Sequence, residues 1–182
     1  MAAKDIRAAK RYALALFNLA SREEKLDAVE RDMSTILGLM KEQPKLREYW
    51  ESPQVPSGRK REVIKEILGD SLSPLTLSFL TLLVDKRREE ILDAVDFELR
   101  QQADSARHIV RAEATFALAP SDTETAALIQ SLEKRTGENV QLSVSVDPTI
   151  LGGVIVRLQD NIVDGSVRGS LDRMRERLLT DA

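Results

Sequence analysis

The chain holds one histidine, His108, and no cysteine. That excludes a thiolate metal site, a cysteine nucleophile and a disulfide framework, and leaves no set of histidines for a metal or a triad. A glycine pair, a carboxylate pair and two basic clusters remain as candidates. Gly152–Gly153 precedes a strand-like run and lacks both the Gly-Lys-Ser/Thr ending of a phosphate loop and the third glycine of a dinucleotide fingerprint. Backbone freedom or close packing explains the pair better than nucleotide binding. Asp160 and Asp164 have no further ligands at a recognisable spacing, and turn chemistry at Asp160–Asn161 and Asp164–Gly165 accounts for both. No serine, lysine or carboxylate has an activating partner in the sequence, so no catalytic residue, cofactor or metal is expected.

Arg59–Lys60–Arg61 and Lys86–Arg87–Arg88 are each followed by acidic residues, Glu62 and Glu66 in one case, Glu89 and Glu90 in the other. A solvated helix surface is the plain reading, and nucleic-acid contact is the alternative. Charge weighs against the alternative. The net charge is −3; residues 1–106 carry 18 basic and 19 acidic side chains and residues 107–182 carry 9 and 11. Neither part has the basic excess that phosphate-backbone binding uses. No apolar run approaches the roughly 18–20 residues of a membrane span, and the N-terminus lacks the apolar run of a secretion signal. A soluble, intracellular chain is expected.

The elements that position these residues fall into two parts with different periods. Leu26, Val29, Met33, Ile36, Leu37 and Met40 recur at helical spacing. Pro44 opens a short segment through Trp50; Ser52, Pro53, Pro56, Ser57 and Gly58 read as a loop, and Val63, Ile64, Ile67 and Leu68 mark a short helix ending near Gly69. Ser73–Pro74 is a helix start, with serine as N-cap. The helix that follows is apolar around most of its circumference, with Ser78, Thr81 and Asp85 as a narrow polar strip. A last helix carries Ile91, Leu92, Val95 and Leu99 inward. After about Arg107 the period becomes two: Val110, Ala112, Ala114, Phe116 and Leu118 alternate with polar residues, as do Val140, Leu142, Val144 and Val146. Between them Ser121 and Glu124 match a capping box and Gly137 suits a helix C-terminus. Val154–Leu158 and Ile162–Val163 read as a hairpin turning near Asp160–Asn161, followed by a helix with Val167, Leu171, Met174 and Leu178 on one face. That helix is basic, with Arg168, Arg173, Arg175 and Arg177 against Asp172 and Glu176, a face for an acidic protein partner. The expected fold is mainly α with a small α/β part: a helical bundle over 1–106, then an α/β domain over 107–182.

The opening helix carries two apolar stripes. Ile6, Ala9, Ala13, Leu16, Phe17 and Ala20 form the wider one; Ala8, Tyr12, Ala15 and Leu19 form a second, about a quarter-turn away. The second stripe either packs inside its own bundle or is the wall of a site for a partner helix.

Arg11-Tyr12-Ala13-Leu14-Ala15-Leu16-Phe17 resembles the opening helix of the delta subunit of F-type ATP synthase, the family of the mitochondrial oligomycin-sensitivity-conferring protein. The more specific likeness is Leu151-Gly152-Gly153-Val154-Ile155-Val156-Arg157, then Ile162-Val163-Asp164-Gly165-Ser166-Val167-Arg168 and Leu171. The resemblance covers essentially the whole chain. It implies a six-helix N-terminal bundle that binds the N-terminal helices of alpha subunits between its first and fifth helices, here Ala8, Tyr12, Ala15 and Leu19 with Ser78 and Thr81. It implies a C-terminal domain that holds the b subunits of the peripheral stalk, with Gly152, Gly153, Asp164, Gly165 and Ser166 as its structural signature. The implied protein is a non-catalytic stator link that resists rotor torque during proton-driven ATP synthesis. It would sit peripherally at the cytoplasmic face of the bacterial plasma membrane, associated with the membrane only through the complex. The reading from a different class is a helical nucleic-acid-binding adaptor using Arg59–Arg61 and Lys86–Arg88.

Overall fold

A computed structural model describes residues 3–69, 71–158, 161–171 and 174. The chain divides into two compact units, Met1–Ala103 and Asp104–Ala182. Asp160 and the residues Asp172, Arg173, Arg175, Glu176, Arg177 and Leu178 of the expected basic helix lie outside the described residues.

The first unit is helical throughout: α1 (Ala3–Arg22), α2 (Leu26–Glu42), α3 (Pro44–Glu51), α4 (Ser57–Leu68), α5 (Pro74–Asp85), a 3-10 turn (Glu89–Ile91) and α6 (Leu92–Ala106). Its core joins Ala9, Ala13, Leu16 and Ala20 of α1 to Val29, Met33 and Ile36 of α2, Leu80 and Leu83 of α5, and Leu92, Val95 and Leu99 of α6. Small residues on α1 let its backbone come close to its neighbours, where larger side chains would hold it off. The wider stripe of α1 starts at Ala9: Ile6 is 44% exposed, because it lies to one side of the Ala9–Ala13–Leu16–Ala20 line.

Caps set the helix ends. Ser73 accepts the Thr76 amide at 3.3 Å, and Asp32 of α2 accepts both the Ser73 amide at 2.9 Å and the Thr76 hydroxyl at 2.7 Å. That triangle fixes where α5 begins against α2, and it lets Thr76 be fully buried. α4 begins at Ser57, inside the stretch expected to be loop, with Pro56 as N-cap in extended conformation. First-turn amides have no intrahelical partner, so the low helix propensity of Ser57 and Gly58 costs little there.

The second unit has β1 (Ile109–Phe116), α7 (Asp122–Thr136), β2 (Asn139–Val146), a 3-10 turn (Pro148–Ile150), β3 (Val154–Leu158), β4 (Asn161–Asp164) and a helical segment over 167–171. The sheet order is β2-β1-β3-β4. β1 and β2 are parallel, which requires a crossover, and α7 supplies it. β3 pairs antiparallel to β1, and β4 pairs antiparallel to β3 at the far edge of the sheet. Ala112 and Ala114 of β1, Val140 of β2 and Val156 of β3 face Leu132 of α7 in a small core. The Ser121–Glu124 capping box is reciprocal, and Gly137 closes α7 at φ 75°, the left-handed conformation that favours glycine. β1 stops at Phe116, and Leu118, expected to continue the strand, is exposed beyond its end.

Candidate partner-binding surfaces

α1 and α5 meet through an aromatic contact. The Tyr12 ring stands edge-on to Phe79, with centroids 6.5 Å apart and planes at 69°, a favoured arrangement for two aromatic quadrupoles. Tyr12 and Ala8 are half-buried against the bundle core. Ala15 and Leu19, further along the same stripe, are exposed, Leu19 by 42%. On α5, Ser78 is exposed and Thr81 half-buried. Both hydroxyls bond back to their own helix, Ser78 to the Pro74 carbonyl and Thr81 to the Leu77 carbonyl, each at 2.8 Å. Their donor protons are spent locally, so neither hydroxyl needs an acceptor from anything laid over the strip. Leu82, exposed on the same side of α5, was not singled out by sequence, because an almost wholly apolar helix does not reveal which apolar residue faces out.

The basic clusters are largely committed within the fold. Lys60 is buried and paired with Glu89; Arg61 pairs with Asp85, Arg88 with Asp5 and Arg59 with Glu62. A buried lysine presents nothing to a phosphate backbone, and three of the arginines already face carboxylates. These pairings reduce the charge that the two clusters would offer a phosphate backbone.

In the second unit Gly152, Gly153, Asp164, Gly165 and Ser166 come together where the strand entry crosses the start of the last helical segment. The Gly165 amide donates to the Val154 carbonyl at 3.0 Å and the Val167 amide to the Gly152 carbonyl at 2.9 Å. Gly153 has φ 79°, and a Cβ there would stand well inside van der Waals contact with the Gly165 carbonyl oxygen. The Asp164 carboxylate accepts the Ser166 amide at 2.8 Å, and the buried Ser166 hydroxyl caps the segment by accepting the Gly169 amide at 2.9 Å. These residues perform backbone crossing and helix initiation. Leu118, Val146, Leu151 and Val167 are exposed. The register pairs Phe116 with both Val146 and Val154, which puts the flanking residues Leu118, Val146 and Leu151 at one end of the sheet.

Other charged groups have structural partners. The Asp147 carboxyl is held below the usual carboxylate range by the Thr149 hydroxyl, then by the Thr149 amide, with the charge of Arg168 adding to the effect. His108, exposed at φ 53°, turns the chain into β1, and its carbonyl accepts the Asn139 amide. Among the described residues no group of three or more His, Asp or Glu side chains could hold a metal, and no helix is long and apolar enough to cross a membrane.

A helical unit and a small α/β unit, each with exposed apolar residues, suit a structural subunit of a larger assembly. The chain matches the model of the ATP synthase delta (OSCP) subunit family over residues 8–178. It is 36% identical over 170 residues to ATP synthase subunit delta of Syntrophomonas wolfei, covering 93% of each chain. It is 37% identical over 168 residues to ATP synthase subunit delta of Desulforudis audaxviator, covering 92% of each. In fold it is similar to a chain in the cryo-EM structure of the Toxoplasma gondii mitochondrial ATP synthase hexamer, with a TM-score of 0.67 and 23% identity, covering 94% of this chain and 97% of that one. The chain belongs to the ATP synthase delta (OSCP) family, and it is a non-catalytic subunit whose partners are ATP synthase components.

Proposed function

We propose that this chain is the stator link of a bacterial F-type ATP synthase, holding the top of the alpha/beta head to the b subunits of the peripheral stalk. Rotation of the central shaft exerts an equal and opposite torque on the head, and without a tether the head would turn with the shaft. A tether needs two binding surfaces and no chemistry of its own. In this reading the α1/α5 strip takes the N-terminal helix of an alpha subunit, and the second unit takes the end of the stalk at the cytoplasmic face of the plasma membrane.

The observation that carries the reading is the strip itself: Ala15, Leu19, Ser78 and Leu82 exposed beside the Tyr12–Phe79 contact. Small and apolar residues on two neighbouring helices suit the apolar face of a third helix. Calorimetric titration of the full chain with a peptide copying the alpha subunit's N-terminal helix tests it. Saturable one-to-one binding that Ala15→Trp abolishes is expected. Absent binding, or binding indifferent to Ala15→Trp, would move the alpha site elsewhere.

A further inference from the structure

We propose that the free edge of β2 receives an uncharged extended segment of another polypeptide, which adds a fifth strand to the sheet. This goes beyond the stator reading, which gives the second unit to the stalk without naming an edge of the sheet or the conformation of what binds there.

The hydrogen-bond row is open along most of its length. The Asn139 amide donates to the His108 carbonyl and the Asp147 amide to the Phe116 carbonyl, so the odd-numbered amides of β2 face β1 and the even-numbered ones face away. Of the outward amides, that of Val140 is answered by the Glu133 carboxylate at 3.4 Å. Those of Leu142, Val144 and Val146 have no partner among the described residues. Proteins usually defend such an edge with charge, proline, a bulge or brevity. β2 is eight residues long and contains no Lys, Arg, Asp, Glu or Pro.

The side chains beside the edge define the occupant. Leu142, Val144 and Val146 share the face of β2 that carries buried Val140, and Val144 and Val146 are 42% and 50% exposed. Gln141, Ser143 and Ser145 lie on the opposite face. β2 itself offers a charged strand no counter-ion, and the Glu133 carboxylate at Val140 reaches only the start of the edge. A neutral one with β-branched residues at every second position would extend the apolar surface and complete the amide row. A helix, whose backbone groups are already paired, cannot do so. A second copy of this chain would also match, with Val144 opposite Val144 and Ser143 opposite Ser145 about a two-fold axis. However, a single edge pairing of this length buries well under the roughly 800 Å² per partner of a stable interface. The segment therefore belongs to a polypeptide held to this subunit by other contacts, which raise its local concentration.

The test uses the full ¹⁵N-labelled chain and a capped Thr-Val-Ser-Val-Thr-Val peptide, N-methylated at alternate residues so that it offers one pairing edge. At saturating peptide, exchange of the Leu142, Val144 and Val146 amides should slow by about tenfold or more, while Val140 changes little. Val144→Pro removes only an outward amide and should abolish the slowing with the sheet intact. Val144→Lys should weaken binding about tenfold and serves if the proline variant does not fold. Unchanged exchange at millimolar peptide would overturn the proposal. So would slowing that rises with protein concentration without peptide, which would assign the edge to self-pairing. Neither edge variant should alter titration by the alpha-helix peptide, so the two readings fail separately.

Discussion

The Lys60 ammonium sits 2.6 Å from the Glu89 carboxylate inside the helical unit, with 2% of the lysine side chain and 10% of the glutamate exposed. Lys60 also donates to the Trp50 carbonyl at 2.6 Å, and the Trp50 indole donates to the Glu89 carbonyl at 3.1 Å. Three side chains thereby join the end of α3, the first turns of α4 and the 3-10 turn before α6. Desolvation of two charges offsets much of their attraction, so the pair contributes less to net stability than to fixing which segments meet.

Removing one partner strands the other in the core. Lys60→Ala or Glu89→Ala should therefore cost about 3 kcal/mol or more, while Lys60→Met combined with Glu89→Leu should come much nearer the wild type. Urea unfolding followed by the emission of Trp50, the sole tryptophan, measures both.

Gly153 and Gly137 have similar positive φ but different surroundings. Alanine at Gly137 meets open space, so backbone strain of about 1 kcal/mol is all it should cost. Alanine at Gly153 must also displace the Gly165 backbone, and the loss should exceed about 2 kcal/mol. Thermal unfolding of the two variants side by side checks the order.

At the α1/α5 strip, Ala15→Trp should leave helicity and melting temperature unchanged and block the alpha-helix peptide, because Ala15 is exposed. Tyr12→Ala acts on both binding and folding. In the proposed interface it removes an anchor of about 2 kcal/mol. It also removes the aromatic pair with Phe79, for about 1 kcal/mol of bundle stability. Calorimetry and circular dichroism on both variants separate the two effects.

Acid should weaken the start of α7. The Ser121 amide, then its hydroxyl, holds the Glu124 carboxyl below its ordinary value of 4.5. A carboxyl depressed in the folded state stabilises fully above its unfolded pKa and loses that contribution as pH falls through the folded pKa. The melting-temperature gap between wild type and Glu124→Gln should be constant near neutral pH and close below about pH 4.5.

A fragment ending at Ala106 should fold alone, since the helical unit has its own core from Ala9 to Leu99. Limited proteolysis should cut first near Ala103–His108 and leave a stable helical product. Cleavage spread evenly along the chain would show one cooperative body instead.

Local signals carried much of this fold. Ser73–Pro74, Ser121–Glu124 and Gly137 announce helix ends because capping is satisfied within a few residues. The alternation in β1 and β2 assigns their faces, yet it carries no information on neighbours, so the order β2-β1-β3-β4 required the folded chain. The Lys60–Glu89 pair was hidden because charged residues beside other charged residues read as solvent-facing. A trace was present: Lys60 stands one helical turn before Val63 and Ile64, on the stripe that goes inward. At the α1/α5 strip, the spacing separates a small-residue stripe on α1 from the core stripe, but it does not mark Leu82 as the apolar residue of α5 that faces out. The helix periodicity showed how much of α5 is apolar, and the neighbours decide which part stays open.

The second unit's small core has a mechanical consequence. Among the described residues it is built on Ala112, Ala114, Leu132, Val140 and Val156, whereas the helical unit engages side chains from all six helices. In a link loaded from both ends, two springs in series carry the same force and the softer one takes most of the extension. We expect the sheet unit to be the softer of the two, because fewer buried side chains join its layers among the described residues. Torque delivered in pulses would be stored there as elastic strain and returned between them, while the bundle keeps its grip unchanged.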